Sequence, residues 1–252
     1  MVFPFMSPDA TETFVSEYHR VRLPFDPERG KVWRALCRYL APWVDPGAGL
    51  LDLGAGYGDF SRFSTASPKW ALDMNSDLIA HWEESVQPLI QSALDPLPLK
   101  TASFGTVFAS NFFEHFTSED GARILLELHR ILKPGGRLII VQPNFRLEPR
   151  RYFDDYTHQT IYTDEGFTGF LAASGFRVIR SEPRFTPFTM KSRWPKAEWM
   201  VDLYLRLPFR PFAGQFLVIA EPASNGPGAR PAIIKPSELV PARSGPGSEG
   251  AL

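Results

Sequence analysis

Gly49-Leu-Leu-Asp-Leu-Gly-Ala-Gly-Tyr-Gly58 is the stretch whose reading decides the fold. Leu50 to Leu53 reads as a short buried strand. Gly54, Ala55 and Gly56 read as a turn with almost no side chain, and Tyr57 to Ser64 as the start of a helix. A strand that runs through a glycine turn into a helix is a nucleotide-binding crossover. The glycines let the main chain approach a ligand where a Cβ would clash. Asp52, at the strand's end, is placed to meet a cationic or hydroxyl-bearing group. The glycines stand at 54, 56 and 58 and position 59 is Asp, so the spacing is G-x-G-x-G. A dinucleotide fingerprint needs G-x-G-x-x-G. An acid directly before the turn also repels a pyrophosphate. The pattern therefore points to a cationic or zwitterionic nucleoside. Asp73, nineteen residues after Gly54, is an acceptor suited to both ribose hydroxyls.

Outward from that stretch, strands and helices alternate. Asp26-Pro27-Glu28 is a helix-start signal, and Val32, Trp33, Leu36, Cys37 and Leu40 fall on one face of a helix over 28–40. Pro68 to Asp73 reads as a second strand, followed by a helix from Ser76 to Glu84 with Asn75 or Ser76 as its cap. Leu89 to Ala93 is a weak third strand, and the prolines of Asp95-Pro-Leu-Pro-Leu99 demand a loop. Phe104 to Ser110 is the fourth strand. Ile124, Leu125, Leu128, Ile131 and Leu132 stripe a helix that begins at Ser118 or Glu119. Lys133-Pro-Gly-Gly136 reads as its cap and turn, and Arg137 to Gln142 as the fifth strand. Later segments give a helix from Thr163 or Asp164 to Ser174, a strand from Phe176 to Arg180, a helix from Lys196 to Leu205 and a strand from Gln215 to Ala220.

This order predicts an α/β, Rossmann-like three-layer sandwich. Its sheet is mostly parallel, with an antiparallel edge pair at the C-terminal end. In such a sheet the ligand crevice lies at the carboxyl ends of the strands. Asp52, Asp73, Asp95 and Asn111 all fall at or just past such ends. The domain is expected over residues 28–221, with an arm or lid over 1–27. A disordered tail is expected over 222–252, where 11 of 31 residues are Pro or Gly and none is aromatic.

Composition narrows the function classes. The 252 residues are 44% hydrophobic and carry a net charge of −1, so no electrostatic footprint for nucleic acid is expected. The single cysteine, Cys37, leaves no internal disulfide and no zinc spacing. No apolar run reaches the length of a membrane span, and Met1 to Pro8 lacks the features of a signal peptide. A cytoplasmic protein is the expectation.

Four motifs in order now carry a resemblance: Leu50 to Gly58, Ala71-Leu-Asp73, Ser110-Asn-Phe-Phe-Glu-His115 and Leu126 to Leu138. Over roughly 28–221 the chain resembles class I S-adenosylmethionine-dependent methyltransferases of the type 11/23 kind. Small O-methyltransferase-like proteins of bacterial glycan and secondary-metabolite biosynthesis are the subgroup it looks like. The resemblance implies S-adenosyl-L-methionine as cofactor. Gly54, Ala55 and Gly56 would pack under its methionine part and Asp52 would help hold its amino group. Asp73 would bind the ribose, Met74 would cover the adenine, and Asn111 would face the transferring methyl. Two positions depart from the family pattern. Ser92 and Ala93 stand where an adenine-binding acid is common, with Asp95 nearby, and Gly105 replaces an Asp.

Methyl transfer from a sulfonium is an in-line displacement, in which the protein supplies alignment and a dry site. It needs no metal, and none is expected. A hydroxyl acceptor gains from a general base. His115, beside Glu114, is one candidate, and packing or capping is the alternative. His158, in the polar run after strand five, is a candidate base or substrate contact, or else a loop hydrogen-bonding residue. His129 and His81 read as helix-surface residues, and His19 belongs to the arm. Arg150 and Arg151 either bind an anionic group or form a solvated pair. The apolar run from Trp194 to Leu207 either packs on the sheet edge, lines a substrate channel or touches a membrane surface. The expected acceptor is a small or glycan-like molecule, with segments 1–27, 144–164 and 181–212 setting specificity. A protein that binds the cofactor without turnover is a rival reading. An NAD-linked oxidoreductase is another, opposed by Asp52 and the missing sixth-position glycine.

Overall fold

The computed structural model describes residues 7–187 and 197–224. The expected tail falls almost entirely outside these residues, as do Trp194 and much of the insertion around it.

Among the described residues the sheet forms from seven strands: β1 (Leu50–Leu53), β2 (Lys69–Asp73), β3 (Val86–Ile90), β4 (Phe104–Ser110), β5 (Leu132–Pro143), β6 (Phe176–Glu182) and β7 (Gln215–Pro222). Their order across the sheet is β3-β2-β1-β4-β5-β7-β6. The first five strands are parallel, while β7 runs antiparallel to both β5 and β6. The chain order therefore reverses beside β1. In a parallel sheet that reversal opens a crevice at the carboxyl ends of β1 and its neighbours.

Two layers of helices cover the sheet. Leu51 and Leu53 of β1 face a core built with α4 (Ser118–Ile131) and α5 (Asp164–Ala173), through Ile124, Leu125, Leu128, Phe167 and Leu171. Leu50 faces the other core, built with α2 (Arg29–Leu40), α3 (Asp59–Phe63) and α6 (Glu198–Arg206), through Trp33, Leu36, Phe60 and Leu205. Alternation along a strand sends neighbouring side chains to opposite layers. Burying each of these large side chains stabilises the fold by roughly 1.5–3 kcal/mol. The expected three-layer architecture is the one observed.

Thr117 and Thr163 cap α4 and α5 through side-chain oxygens that accept from Asp120 N and Gly166 N. That contact satisfies a main-chain donor the helix leaves unpaired.

Four expectations need correction. The helix expected over 76–84 is only a short 3-10 segment, Ser76–His81, although Asn75 does cap it. Strand three occupies Val86–Ile90 instead of 89–93, because Pro88 lies on the outer strand of the sheet, where a lost main-chain donor costs little. Lys133–Gly136 lies inside β5 as an irregularity: Leu132 pairs with Phe104, and pairing resumes only at Arg137 and Thr106. Finally, the arm contains a helix, α1 (Pro8–Arg22), whose Val15 and Tyr18 are buried.

Gly105, where the resemblance leads one to expect Asp, has a packing explanation. A Cβ there would lie 2.3 Å from the Ala48 Cβ.

Candidate functional site

A cavity of about 900 Å³ opens at the carboxyl ends of β1, β2 and β4. One end is built largely from main chain. Gly54, Gly56 and Gly58 all have positive φ, a conformation open to glycine at little cost. A Cβ on Gly54 would sit 2.5 Å from the Phe112 ring, whereas one on Gly56 would meet nothing within 4 Å. The space above Gly56 is therefore free for a ligand. Asp73 ties this turn to the end of β2, since its Oδ2 accepts from Gly56 N at 2.9 Å and its Oδ1 from Asn75 N at 3.0 Å. Trp82 fixes the turn from the far side, its indole N–H donating to Gly56 O at 2.8 Å.

Asp52 lies beneath the turn, 3% exposed, with Oδ2 accepting from Ser61 N at 3.0 Å and Ser61 Oγ at 2.7 Å. Burial pushes its carboxyl up to about 7, against the lowering effect of those two hydrogen bonds. Position 59, where a dinucleotide fold places its third glycine, holds a buried Asp59 with Arg29 Nε 2.6 Å away. A paired side chain thus stands where the NAD fingerprint needs a glycine for close packing of helix on strand.

The other end is built from side chains. Glu114, His115 and His158 line the same cavity, and one ligand-type atom of each lies within 4.8 Å of the others. His158 Nε2 is 3.8 Å from Glu114 Oε1. Glu114 is fully buried, with Oε2 accepting from Gln142 Nε2 at 2.5 Å and Oε1 lacking a hydrogen-bond partner. Burial raises its pKa to about 8. Burial lowers His115 to about 3, with the neighbouring His158 adding to the effect, and burial also lowers His158. The Thr157 hydroxyl donates to Asp155 Oδ1 at 2.6 Å and so must accept from His115 Nδ1–H at 2.9 Å. Helix α1 reaches both ends of the cavity: Tyr18 donates to Asp155 Oδ2 at 2.7 Å, beside this cluster, and Ser16 to Asp77 Oδ2 at 2.6 Å, just past Asp73.

Most expected site residues meet in the cavity: Asp52, Gly54, Ala55, Gly56, Asp73, Met74, Asn111, His115 and His158 all line it. Asp95 does not. The loop after β3 turns Gln91, Ser92 and Ala93 to the cavity, and Asp95 N bonds back to Ser92 O. Asn111 has positive φ, and its Oδ1 accepts from Gln215 Nε2. Arg151 lines the cavity and Arg150 does not. Trp199 and Leu203 of α6 are exposed, at 67% and 56%, whereas Met200 and Tyr204 reach the cavity wall. His129 packs against Phe176 and His81 stacks on Phe25. Sequence reasoning missed Phe112, Trp82, Tyr18, Asp155 and Thr157. The Asn-Phe-Phe-Glu-His run offered a signal near Phe112, and the Asp154-Asp-Tyr-Thr-His158 run one near Asp155 and Thr157.

Residues 51–140 match the family model of the methyltransferase domain. The fold agrees with solved structures. An S-adenosylmethionine-dependent methyltransferase from Archaeoglobus fulgidus superposes with a TM-score of 0.60 at 20% identity, covering 82% of this chain and 98% of that one. A possible histamine N-methyltransferase from Thermotoga maritima gives 0.58 at 21% identity, covering 83% and 96%. Residues 51–140 are therefore similar to a methyltransferase domain, and the fold is the one shared by these S-adenosylmethionine-dependent proteins, whose cofactor is S-adenosyl-L-methionine. Among curated proteins, the ubiquinone/menaquinone biosynthesis C-methyltransferase of Bordetella avium is 29% identical over 123 residues, 44% of this chain and 47% of that protein. Its counterpart in Burkholderia vietnamiensis is 27% identical over 143 residues, 52% and 58%. The chain spans about half the length of the curated relatives it matches. Among the described residues no helix is long and apolar enough to cross a membrane.

The site fits that cofactor. The open space over Gly56 admits a ligand against main chain. Asp73 offers a carboxylate, and the buried Asp52 lies close by to favour a cation.

Proposed function

We propose that the protein transfers a methyl group from S-adenosyl-L-methionine to a small hydroxylated or glycan-like acceptor, at oxygen. The observation that carries this reading is the single cavity with two unlike ends, Gly54, Gly56 and Asp73 at one and Glu114, His115 and His158 at the other. The cofactor supplies an activated methyl. When bound, it would give up the methyl with the bonding pair kept on sulfur, an acceptor oxygen would use a lone pair to take the methyl, and the hydroxyl proton would pass to His158. Asp73 holds the ribose and Met74 covers the adenine. Asp52 favours the amino group, and Asn111, just past β4, faces the transferring methyl. His158, neutral at physiological pH, takes the acceptor's proton. Helix α1 and residues 144–164 keep water from the reacting atoms, since a displacement of this kind is governed by alignment.

Calorimetry with S-adenosylhomocysteine tests the cofactor half, and one site per chain is expected. A folded protein that binds none would overturn the reading. A screen of acceptors with labelled cofactor tests the other half. Product analysis then separates O-methylation from the C-methylation named for the curated relatives.

A further inference from the structure

We propose that Glu114, His115 and His158 form a binding site for one divalent cation of the zinc, cobalt or manganese kind, at the acceptor end of the cavity. The donor set is two imidazoles and one carboxylate, which suits such ions and leaves coordination positions open. The open positions face the cavity, since all three residues line it.

Three features of the cluster serve ligation better than ordinary packing. Glu114 is wholly buried, yet its Oε1 has no hydrogen-bond partner and points toward His158 Nε2, 3.8 Å away. A buried carboxyl oxygen without a hydrogen-bond partner is costly, and ligation to a cation removes that cost. The side chain of His158 is 5% exposed and its Nδ1 is also unpartnered. The His115 ring is held by a second set of residues. Thr157 donates to Asp155 and therefore accepts from His115 Nδ1–H, which leaves the lone pair of the neutral ring on Nε2. A carboxylate or hydroxyl that fixes the tautomer in this way is the usual support of a metal-bound histidine. Gln142 similarly anchors the other oxygen of Glu114.

The spacing is close to that required. Ligands about 2.1 Å from a tetrahedral ion lie roughly 3.4 Å apart. The Glu114–His158 pair, at 3.8 Å, is close to that distance, and no pair must close by more than about 1.4 Å. With the cation in place, His158 ligates instead of accepting a proton. An acceptor hydroxyl bound at an open position loses its proton to water because the cation lowers its pKa. The oxygen lone pair then forms the bond to the methyl. Binding of the metal alone does not depend on the cofactor reading, so the two fail separately.

The test is titration of the full-length, chelator-treated protein with Zn²⁺ by calorimetry, and with Co²⁺ followed by visible absorption. One equivalent is expected, with a Co²⁺ spectrum that Zn²⁺ abolishes and a rise in melting temperature on binding. Mg²⁺, which prefers oxygen ligands, should bind far more weakly. His115→Gln and His158→Gln should each weaken Zn²⁺ binding by about 100-fold while melting, metal-free, as the parent does. If a variant fails to fold, the stoichiometry and cobalt spectrum of the parent decide alone. Absence of stoichiometric binding, or affinity retained in the double variant, would overturn the inference and leave His158 as the proton acceptor.

Discussion

At the end of the cavity proposed for the cofactor, the lining comes from main chain held by a few rigid side chains. At the end proposed for the acceptor, it comes from side chains on loops and on α1. The first arrangement is cheap to encode, because glycine at 54, 56 and 58 and acids at 52 and 73 suffice. It is also unforgiving, because a Cβ at Gly54 strikes Phe112. The second requires residues more than a hundred positions apart, such as Tyr18 with Asp155, to meet. It can change one residue at a time without disturbing the sheet. A rigid cofactor seat beside an adjustable acceptor pocket is how one fold serves many acceptors.

The sharpest way to break this contrast is Gly54→Ala. Overpacking against Phe112 and a left-handed backbone should together lower stability by about 2–5 kcal/mol in urea unfolding. Gly56→Ala, with open space around it, should cost only about 1–2 kcal/mol of backbone strain and show its main loss in S-adenosylhomocysteine affinity. If the two variants unfold alike, the cofactor end is less rigid than its geometry says. Next in size, Asp73→Ala should weaken S-adenosylhomocysteine binding by about 1.5–3 kcal/mol, the worth of hydrogen bonds to a charged group.

A pH experiment probes Asp52. Its folded carboxyl is pushed up to about 7, above its ordinary value of 3.8, because burial disfavours the charge. The folded state therefore holds more protons than the unfolded state between those values. This group then costs stability as pH rises from about 4 to about 7 and returns it as pH falls. Asp59 and Asp73 add to the upward shift and Ser61 opposes it. Asp52→Asn should flatten that part of the stability profile of the cofactor-free protein, read from melting temperatures across this range. An unchanged profile would show that Asp52 is ionised throughout. The smallest effect belongs to the acceptor end: Tyr18→Phe removes one hydrogen bond to Asp155 and should cost about 1 kcal/mol. Cofactor affinity unchanged by that variant would support the independence of the two ends.

The same contrast explains what the sequence disclosed. Strands β1 and β4 and the stripe of α4 were legible because burial imposes a period, and Asp52, Asp73 and the glycines because a turn of that kind admits few residues. The short 3-10 segment at Ser76–His81 was not, since its capping and apolar residues also suit a helix and Pro88 sets the following strand's register only through the sheet edge. Tyr18, Thr157 and Asp155 were invisible because their roles depend on contacts between distant segments. Asp95 stood in the sequence as a nearby candidate beside Ser92 and Ala93, and the backbone of the loop after β3 brings only the latter two to the cavity.

The insertion of β7 between β5 and β6 has a consequence during synthesis. Strand β5, with its Leu138-Ile-Ile-Val141 run, leaves the ribosome with one edge unpaired, and β6 follows without a seat beside it. Both wait for Gln215–Pro222 to emerge. For that interval the nascent chain presents a long apolar strand edge, the surface most prone to pair with a neighbour. Completion of the sheet is therefore a late event, and the yield of folded protein should be sensitive to whatever guards that edge until the last strand arrives.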